Sequence, residues 1–110
     1  GNIRRKASVL SNLGSLSQDL GQWETAYHYY IESLQISRSM KDMAFVGISA
    51  NNLADLCLKW GRIDEVGQFI YESLLSRREI NYQSGIARSL DLVPLLAEAK
   101  GDMVKAAVLL

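Results

Sequence analysis

Apolar residues recur along the chain at intervals of three and four positions, which is the spacing of one face of an α-helix. The first such series comprises Leu10, Leu13, Leu16 or Ser17, and Leu20. The next comprises Trp23, Ala26, Tyr30 and Leu34. Gly21 lies between the two series and is typical of a residue that ends a helix. The pattern therefore predicts two helices joined at Gly21.

The same two-helix pattern returns after forty residues, the interval that separates Gly21, Gly61 and Gly101. A shift of forty also places the segment 32–34 on the identical segment 72–74, and an interval of this size is typical of helical repeats. The second copy has its apolar positions at Leu53, Leu56, Trp60, Ile63, Val66, Ile70 and Leu74. The third has them at Leu90, Val93, Ala97, Met103, Ala106 and Leu110. We predict one domain over 1–110 with repeats at 7–42, 43–82 and 83–110, the last truncated, giving about five and a half helices and no strand.

Two residues of types that destabilise helices lie inside predicted helices. Gly14 lies inside the first predicted helix, where glycine costs about 1 kcal/mol relative to alanine. Pro94 lies inside the fifth, where proline loses a hydrogen bond and clashes with the carbonyl of Leu90. We expect the helix to kink or to be shortened at Pro94, and a tolerated distortion is favoured over a functional hinge.

The motifs "NLGSL", "GQW" and "YYIESL" of the first copy resemble the tetratricopeptide repeat, whose small, small and large positions would be Gly14, Ala26 and Tyr30. The corresponding residues are Ala54, Val66 and Ile70 in the second copy, and Pro94, Ala106 and Leu110 in the third. The resemblance implies an all-α, right-handed solenoid of stacked antiparallel helix pairs. It also places Gly14 where the two helices of a pair press together.

The period departs from the family's usual thirty-four residues, which implies longer helices or turns, and the proline that usually ends the second helix is absent. The forty-residue form is similar to repeats of large bacterial signalling proteins and transcription regulators.

Charge and composition exclude several classes of function. Twelve basic residues balance twelve acidic ones, so neither nucleic acid nor an anionic membrane is an expected partner. A single cysteine, the absence of a long apolar run and the absence of a signal peptide favour the cytoplasm. The start at Gly1 and the apolar final residues suggest a fragment of a longer protein.

Catalytic chemistry is not predicted. No phosphate-binding, nucleophile-elbow or zinc motif occurs, so we expect no enzyme activity, no cofactor and no metal. Cys57 lies on an apolar stripe and is expected in the core, whereas His28 follows Glu24 by four residues and is expected to pair with it. Tyr30 is expected in the core, with Tyr27 and Tyr29 partly buried or forming an outer patch.

A concave groove lined by the first helix of each pair is implied by the resemblance. The groove positions carried over from the family are Ser8, Ser11, Asn12, Ser15, Gln18, Ile48, Asn51, Asn52, Asp55, Lys59, Arg88, Asp91, Leu92 and Leu95. Only Asn52 and Arg88 match the clamp with which some members hold a terminal carboxylate. We therefore do not expect this chain to be specific for a C-terminal carboxylate. Asn12 and Asn52 have an equally good alternative role, hydrogen bonding between neighbouring helices.

The leading hypothesis is a non-catalytic module that binds a protein or peptide in this groove. The alternative is a structural and regulatory segment of a longer solenoid that positions other domains or associates with itself. On that alternative, another repeat or a second copy covers the apolar residues Val108, Leu109 and Leu110 of the C-terminal helix.

Overall fold

A computed structural model describes residues 2–109, without the side chains of residues 106, 107 and 109. The described chain is almost entirely helical and contains no strand. Its elements are α1 (Asn2–Asp19), α2 (Trp23–Ser39), α3 (Met43–Trp60), a 3₁₀ turn (Ile63–Glu65), α4 (Val66–Glu79), α5 (Gln83–Leu90) and α6 (Leu92–Leu109). α1 packs on α2 and α3 on α4, while α2 packs on α3, so two helix pairs stack as predicted.

The helices of the first pair approach each other closely because the buried face of α1 is made of small residues. Ala7, Ser11, Gly14 and Ser17 are buried there together with Leu10. A Cβ added to Gly14 would lie 2.6 Å from ring atoms of Tyr30 on α2, which confirms that Gly14 permits the close approach. The predicted stripe of leucines is wrong in one respect: Leu13, Leu16 and Leu20 are exposed, because they lie on a second face of α1 that points away from α2.

The turns recur every twenty residues and share one backbone feature. Gly21, Lys41, Gly61 and Asn81 all have φ between +54° and +83°, a conformation in which glycine is least strained. Gly21 and Gly61 turn the chain within a pair, whereas Lys41 and Asn81 turn it between pairs. The polar stretches 39–42 and 80–83 lie at these connections, as predicted.

The third copy departs from the predicted pair of helices. α6 continues through Gly101 as a helix, so the predicted helix end at this glycine is wrong. With no second helix folded back at this point, nothing in the described chain requires the left-handed turn that Gly21 and Gly61 adopt. Leu110 and the side chain of Ala106, assigned to the second helix of this copy, lie outside the described residues.

Pro94 shortens its helix, one of the two expected outcomes. α5 ends at Leu90, and Pro94 lies in the first turn of α6, where a backbone N–H would have no intrahelical acceptor. The break lies between α5, which packs on α4, and α6, which also contacts α3.

The core is centred on α3, which is covered by α2, α4 and part of α6. Leu53, Leu56 and Cys57 on α3 are fully buried, and Val66 and Ile70 on α4 pack with them, as the second apolar series predicts. Leu92 and Leu96 bring the start of α6 against the same cluster. This packing fixes α6 beside the C-terminal half of α3, where the groove described below lies.

Candidate binding groove

Buried serines connect one helix pair to the next, and they repeat with the forty-residue period. Ser33 on α2 donates to the carbonyl oxygen of Ala7 (2.9 Å) and bonds to the hydroxyl of Ser49 on α3 (3.3 Å). Forty residues later, Ser73 donates to the carbonyl oxygen of Gly47 (3.2 Å) and bonds to the hydroxyl of Ser89 (2.7 Å). All four serine side chains are fully buried. These hydroxyls fix the register between stacked helices, since a shift would leave buried polar groups unpaired.

The connection between the second and third copies contains a buried arginine, Arg77, in the last turn of α4. Arg77 is 3% exposed, and its guanidinium donates to the carbonyl oxygen of Gly85 (2.7 Å) and the hydroxyl of Ser89 (2.8 Å). Asn51 accepts from the hydroxyl of Ser89 (3.2 Å), so its carbonyl oxygen is engaged between the helices rather than free for a ligand. Burial lowers the pKa of Arg77, and its guanidinium serves as a structural cation between the helices.

A row of polar side chains joins α1 to α3 along the predicted groove. Asn52 donates to the hydroxyl of Ser11 (3.4 Å), and Gln18 donates to the carboxylate of Asp55 (3.2 Å). Asp55 also forms an ion pair with Lys59 (3.0 Å). The structure thus brings together several of the predicted groove residues, and Asn52 takes the helix-to-helix role that was one of its two expected alternatives.

A cavity of about 260 Å³ lies between α3 and α6. Its apolar surface comes from Leu58, Leu95 and Ala99. Its charged groups are Asp55 and Lys59 on α3, and Glu98 and Asp102 on α6. Asp55, Lys59 and Leu95 were predicted groove residues; Leu58, Glu98, Ala99 and Asp102 were not. A single helix through Gly101 is what puts Glu98 and Asp102 on one face, one turn apart.

The carboxylates of this cavity outnumber its cations by three to one. Lys59 is already paired with Asp55, and within the described residues Glu98 and Asp102 form no ion pair. Like charges four residues apart on a helix are mutually destabilising by a few tenths of a kcal/mol. The mouth of the cavity is therefore suited to a positively charged group.

The remaining predicted groove residues are dispersed. Asn12 and Ser15 are exposed on α1, and Ser8 is half-buried. Arg88 and Asp91 are exposed at the end of the short helix α5. Leu92 is buried in the core, so it does not line the groove as expected, because the first turn of α6 packs inward.

A second, smaller cavity of about 180 Å³ lies between the end of α2, the start of α3 and α4. Arg38 and Glu72, which form an ion pair across α2 and α4, lie at its edge. Arg38 and Glu72 neutralise each other, which leaves the carboxylate of Glu79 as the charge in this lining that has no ion pair among the described residues.

Cys57 and His28 do not lie together in one site, because the first is buried and the second exposed. Cys57 is fully buried, and burial raises the pKa of its thiol to about 11. His28 is exposed, and its Nε2 lies 3.9 Å from Oε1 of Glu24, the partner that was predicted. Tyr30 is buried, as expected, and its hydroxyl donates to Gln18 (3.0 Å). Within residues 2–109 no group of three or more histidine, cysteine or acidic side chains is arranged to hold a metal ion.

Tyr27 belongs to a cluster that fixes the turn after α3. Its hydroxyl donates to Glu65 (2.5 Å), and the guanidinium of Arg62 lies 4.6 Å from its ring and 5.0 Å from that of Trp60. Burial first, and then the hydrogen bond to Glu65, raise the pKa of Tyr27 to about 12. Of the two open expectations for this tyrosine, partial burial between helix pairs is confirmed.

Stacked pairs of helices that bury corresponding positions, such as Gly14 and Ala54 or Tyr30 and Ile70 in the first two copies, define an all-α helical repeat protein. A family model described as Tetratricopeptide repeat matches residues 5–74. The chain therefore belongs to the tetratricopeptide repeat family. No curated protein shows a significant match to it. None of the helices between residues 2 and 109 is long and apolar enough to cross a bilayer.

Proposed function

We propose that this chain is a non-catalytic module that binds a protein partner in the groove between α3 and α6. Tetratricopeptide repeats generally mediate interactions between proteins, and the observation that supports this location is the cavity of about 260 Å³ beside Asp55 and Lys59. That volume is below the usual range for drug-sized ligands, so it suits one or two side chains of a peptide. The proposed site needs no cofactor.

The proposed partner segment carries a lysine or arginine next to an apolar residue. Leu58, Leu95 and Ala99 offer an apolar surface for a methylene stem or a small apolar side chain. Glu98 and Asp102 offer the opposite charge for the cation. The hydrogen bond from Gln18 of α1 holds Asp55 in place before a ligand arrives, which reduces the ordering cost of binding.

A displayed library of random peptides tests this proposal, with the whole chain as bait. The selected peptides should be enriched in lysine and arginine beside apolar residues. Glu98→Lys should weaken the selected peptides at least about tenfold, the equivalent of 1.4 kcal/mol. Glu24→Lys is the matched control, because it makes the same charge change on the exposed face of α2.

Two results would count against the groove. One is a set of selected peptides with no basic residue; the other is binding that is equally strong in wild type and in both Glu98→Lys and Leu95→Asp. Peptides that instead respond to changes at Arg88 or Asn12 would move the site to the dispersed groove residues of α5 or α1.

A segment of a longer signalling or regulatory solenoid is the second candidate function. It is favoured by the outer side of α6, where Met103, Val104 and Val108 are each more than half exposed. A following repeat or a second copy would remove these side chains from water. The single buried thiol is compatible with a cytoplasmic location for either function, and that location remains a prediction.

A further inference from the structure

The face of α1 that points away from α2 carries a continuous apolar stripe. Val9, Leu13, Leu16 and Leu20 are 50, 37, 57 and 64% exposed. Their spacing of four, three and four residues is that of the a and d positions of a coiled coil. Four large side chains aligned in this way along one helix are more than the isolated apolar residues normal for a protein surface.

The molecule itself shows that such a face is normally covered. Forty residues later, Leu53 and Leu56 occupy the positions of Leu13 and Leu16 on α3 and are fully buried against neighbouring helices that include α2. One position differs in kind: Val9 stands where α3 has Ser49, whose hydroxyl bonds to Ser33 of α2. The α1 stripe is thus entirely apolar and does not reproduce the polar register contact of the α2–α3 interface.

The stripe is complementary to itself when two α1 helices run antiparallel. A two-fold axis that passes between residues 14 and 15 sets Val9 against Leu20 of the other copy, and Leu13 against Leu16. An antiparallel pair of coiled-coil helices makes this pairing of a with d positions. Asn12 and Asp19 flank the stripe on the same side, so the amide of one copy lies within reach of the carboxylate of the other.

The charges of α1 favour the same orientation. Its first turns carry Arg4, Arg5 and Lys6, whereas Asp19 ends the helix and Glu24 begins the next. Arg4 and Lys6 form exposed ion pairs with Asp42 (3.4 Å) and Glu32 (3.6 Å) of their own chain, whereas Arg5 forms none among the described residues. An antiparallel arrangement brings the basic start of one helix towards the acidic end of the other, and it also opposes the two helix dipoles.

We propose that α1 forms an antiparallel, two-fold symmetric dimer interface with α1 of a second copy of this chain. This interface is separate from the α3–α6 groove, since no stripe residue lines that cavity. A dimer therefore presents two grooves, and a partner with two binding segments gains affinity from their linkage.

Disulfide trapping tests the register of the proposed interface. Equal amounts of Leu13→Cys and Leu16→Cys chains, mixed and oxidised, should give a mixed disulfide dimer. Leu20→Cys alone is the control: eleven residues of helix separate the two copies of this position by about 16 Å, beyond the reach of about 7 Å between Cα atoms. Cys57 is buried and stays out of the reaction. A Leu20–Leu20 cross-link, or no cross-link in the mixture, would overturn the antiparallel register.

Sedimentation of the unmodified chain from about 1 µM to about 1 mM tests the dimer itself. The mass should rise from one chain to two, and Leu16→Glu should abolish the rise while circular dichroism shows a folded protein. Val104→Glu, an equally exposed position on α6, should leave the rise unchanged. A chain that stays monomeric at all concentrations would assign the stripe to a helix of another protein or repeat. A dimer lost in Val104→Glu and kept in Leu16→Glu would assign the contact to α6. Either result overturns the proposal.

Discussion

The Gly14→Ala substitution tests whether the absence of a side chain at position 14 is what allows α1 and α2 to pack closely. In an unhindered helix this change stabilises by about 1 kcal/mol, because alanine has the higher helix propensity. Here the new methyl carbon would lie 2.6 Å from Cδ1 and Cε1 of Tyr30. The tyrosine cannot swing away freely, since it is 3% exposed and its hydroxyl is bonded to Gln18.

Overpacking of this kind costs about 1–3 kcal/mol, so the clash outweighs the gain in propensity. We expect Gly14→Ala to lower the free energy of unfolding by about 1 kcal/mol, or the melting temperature by about 4 °C. Thermal and urea denaturation followed by circular dichroism measure both quantities. Gly67→Ala is the control, because its added Cβ would meet only Leu96, at an ordinary distance of 3.9 Å.

The second repeat supplies the compensating variant. There the small and large positions are Ala54 and Ile70, so Tyr30→Ile should make room for alanine at position 14. In the Tyr30→Ile background, Gly14→Ala should stabilise rather than destabilise, with a coupling energy of about 1–3 kcal/mol between the two sites. Stabilisation by Gly14→Ala in the wild-type background would refute the steric explanation.

Three further predictions concern other parts of the molecule. Gly101→Ala should raise the free energy of unfolding by about 0.5–1 kcal/mol, because α6 is helical there and an added Cβ meets no atom within 4 Å. A loss of stability in urea denaturation would show that Gly101 ends a helix instead. Cys57, with its pKa raised to about 11 by burial, should react with a thiol reagent only after denaturant is added, and rapid labelling of the native protein would contradict its burial. Tyr27 has a pKa of about 12 in the folded protein but the ordinary value of about 10 when unfolded, so the free energy of unfolding should fall as the pH rises from about 10 to about 12. Denaturation at several pH values should show a smaller fall for Tyr27→Phe. An equal fall in the variant would assign the pH dependence to another group.

The candidate site was only partly predictable from the sequence. Asp55, Lys59 and Leu95 followed from the groove positions of the family, whereas Glu98 and Asp102 were missed because a helix end was expected at Gly101. The buried serines were missed as well, although Ser33 and Ser73 coincide in the forty-residue alignment. A serine on a helix is usually a surface residue, and only the recurrence of the same serine in successive copies was a signal of an interface.

The sequence by itself determined the first four helices and their pairing, because these depend on local spacing and on glycine at Gly14, Gly21 and Gly61. It also determined the core of the second copy, whose apolar series is covered on both sides in the structure. Only the tertiary structure decided which leucines of α1 are buried and where the last helix ends. Periodicity records which side chains share a helix face, but burial depends on which neighbour covers that face. Gly101 occupies the same position of the repeat as Gly21, yet a glycine turns the chain only when packing the following helix back against the first stabilises the fold sufficiently.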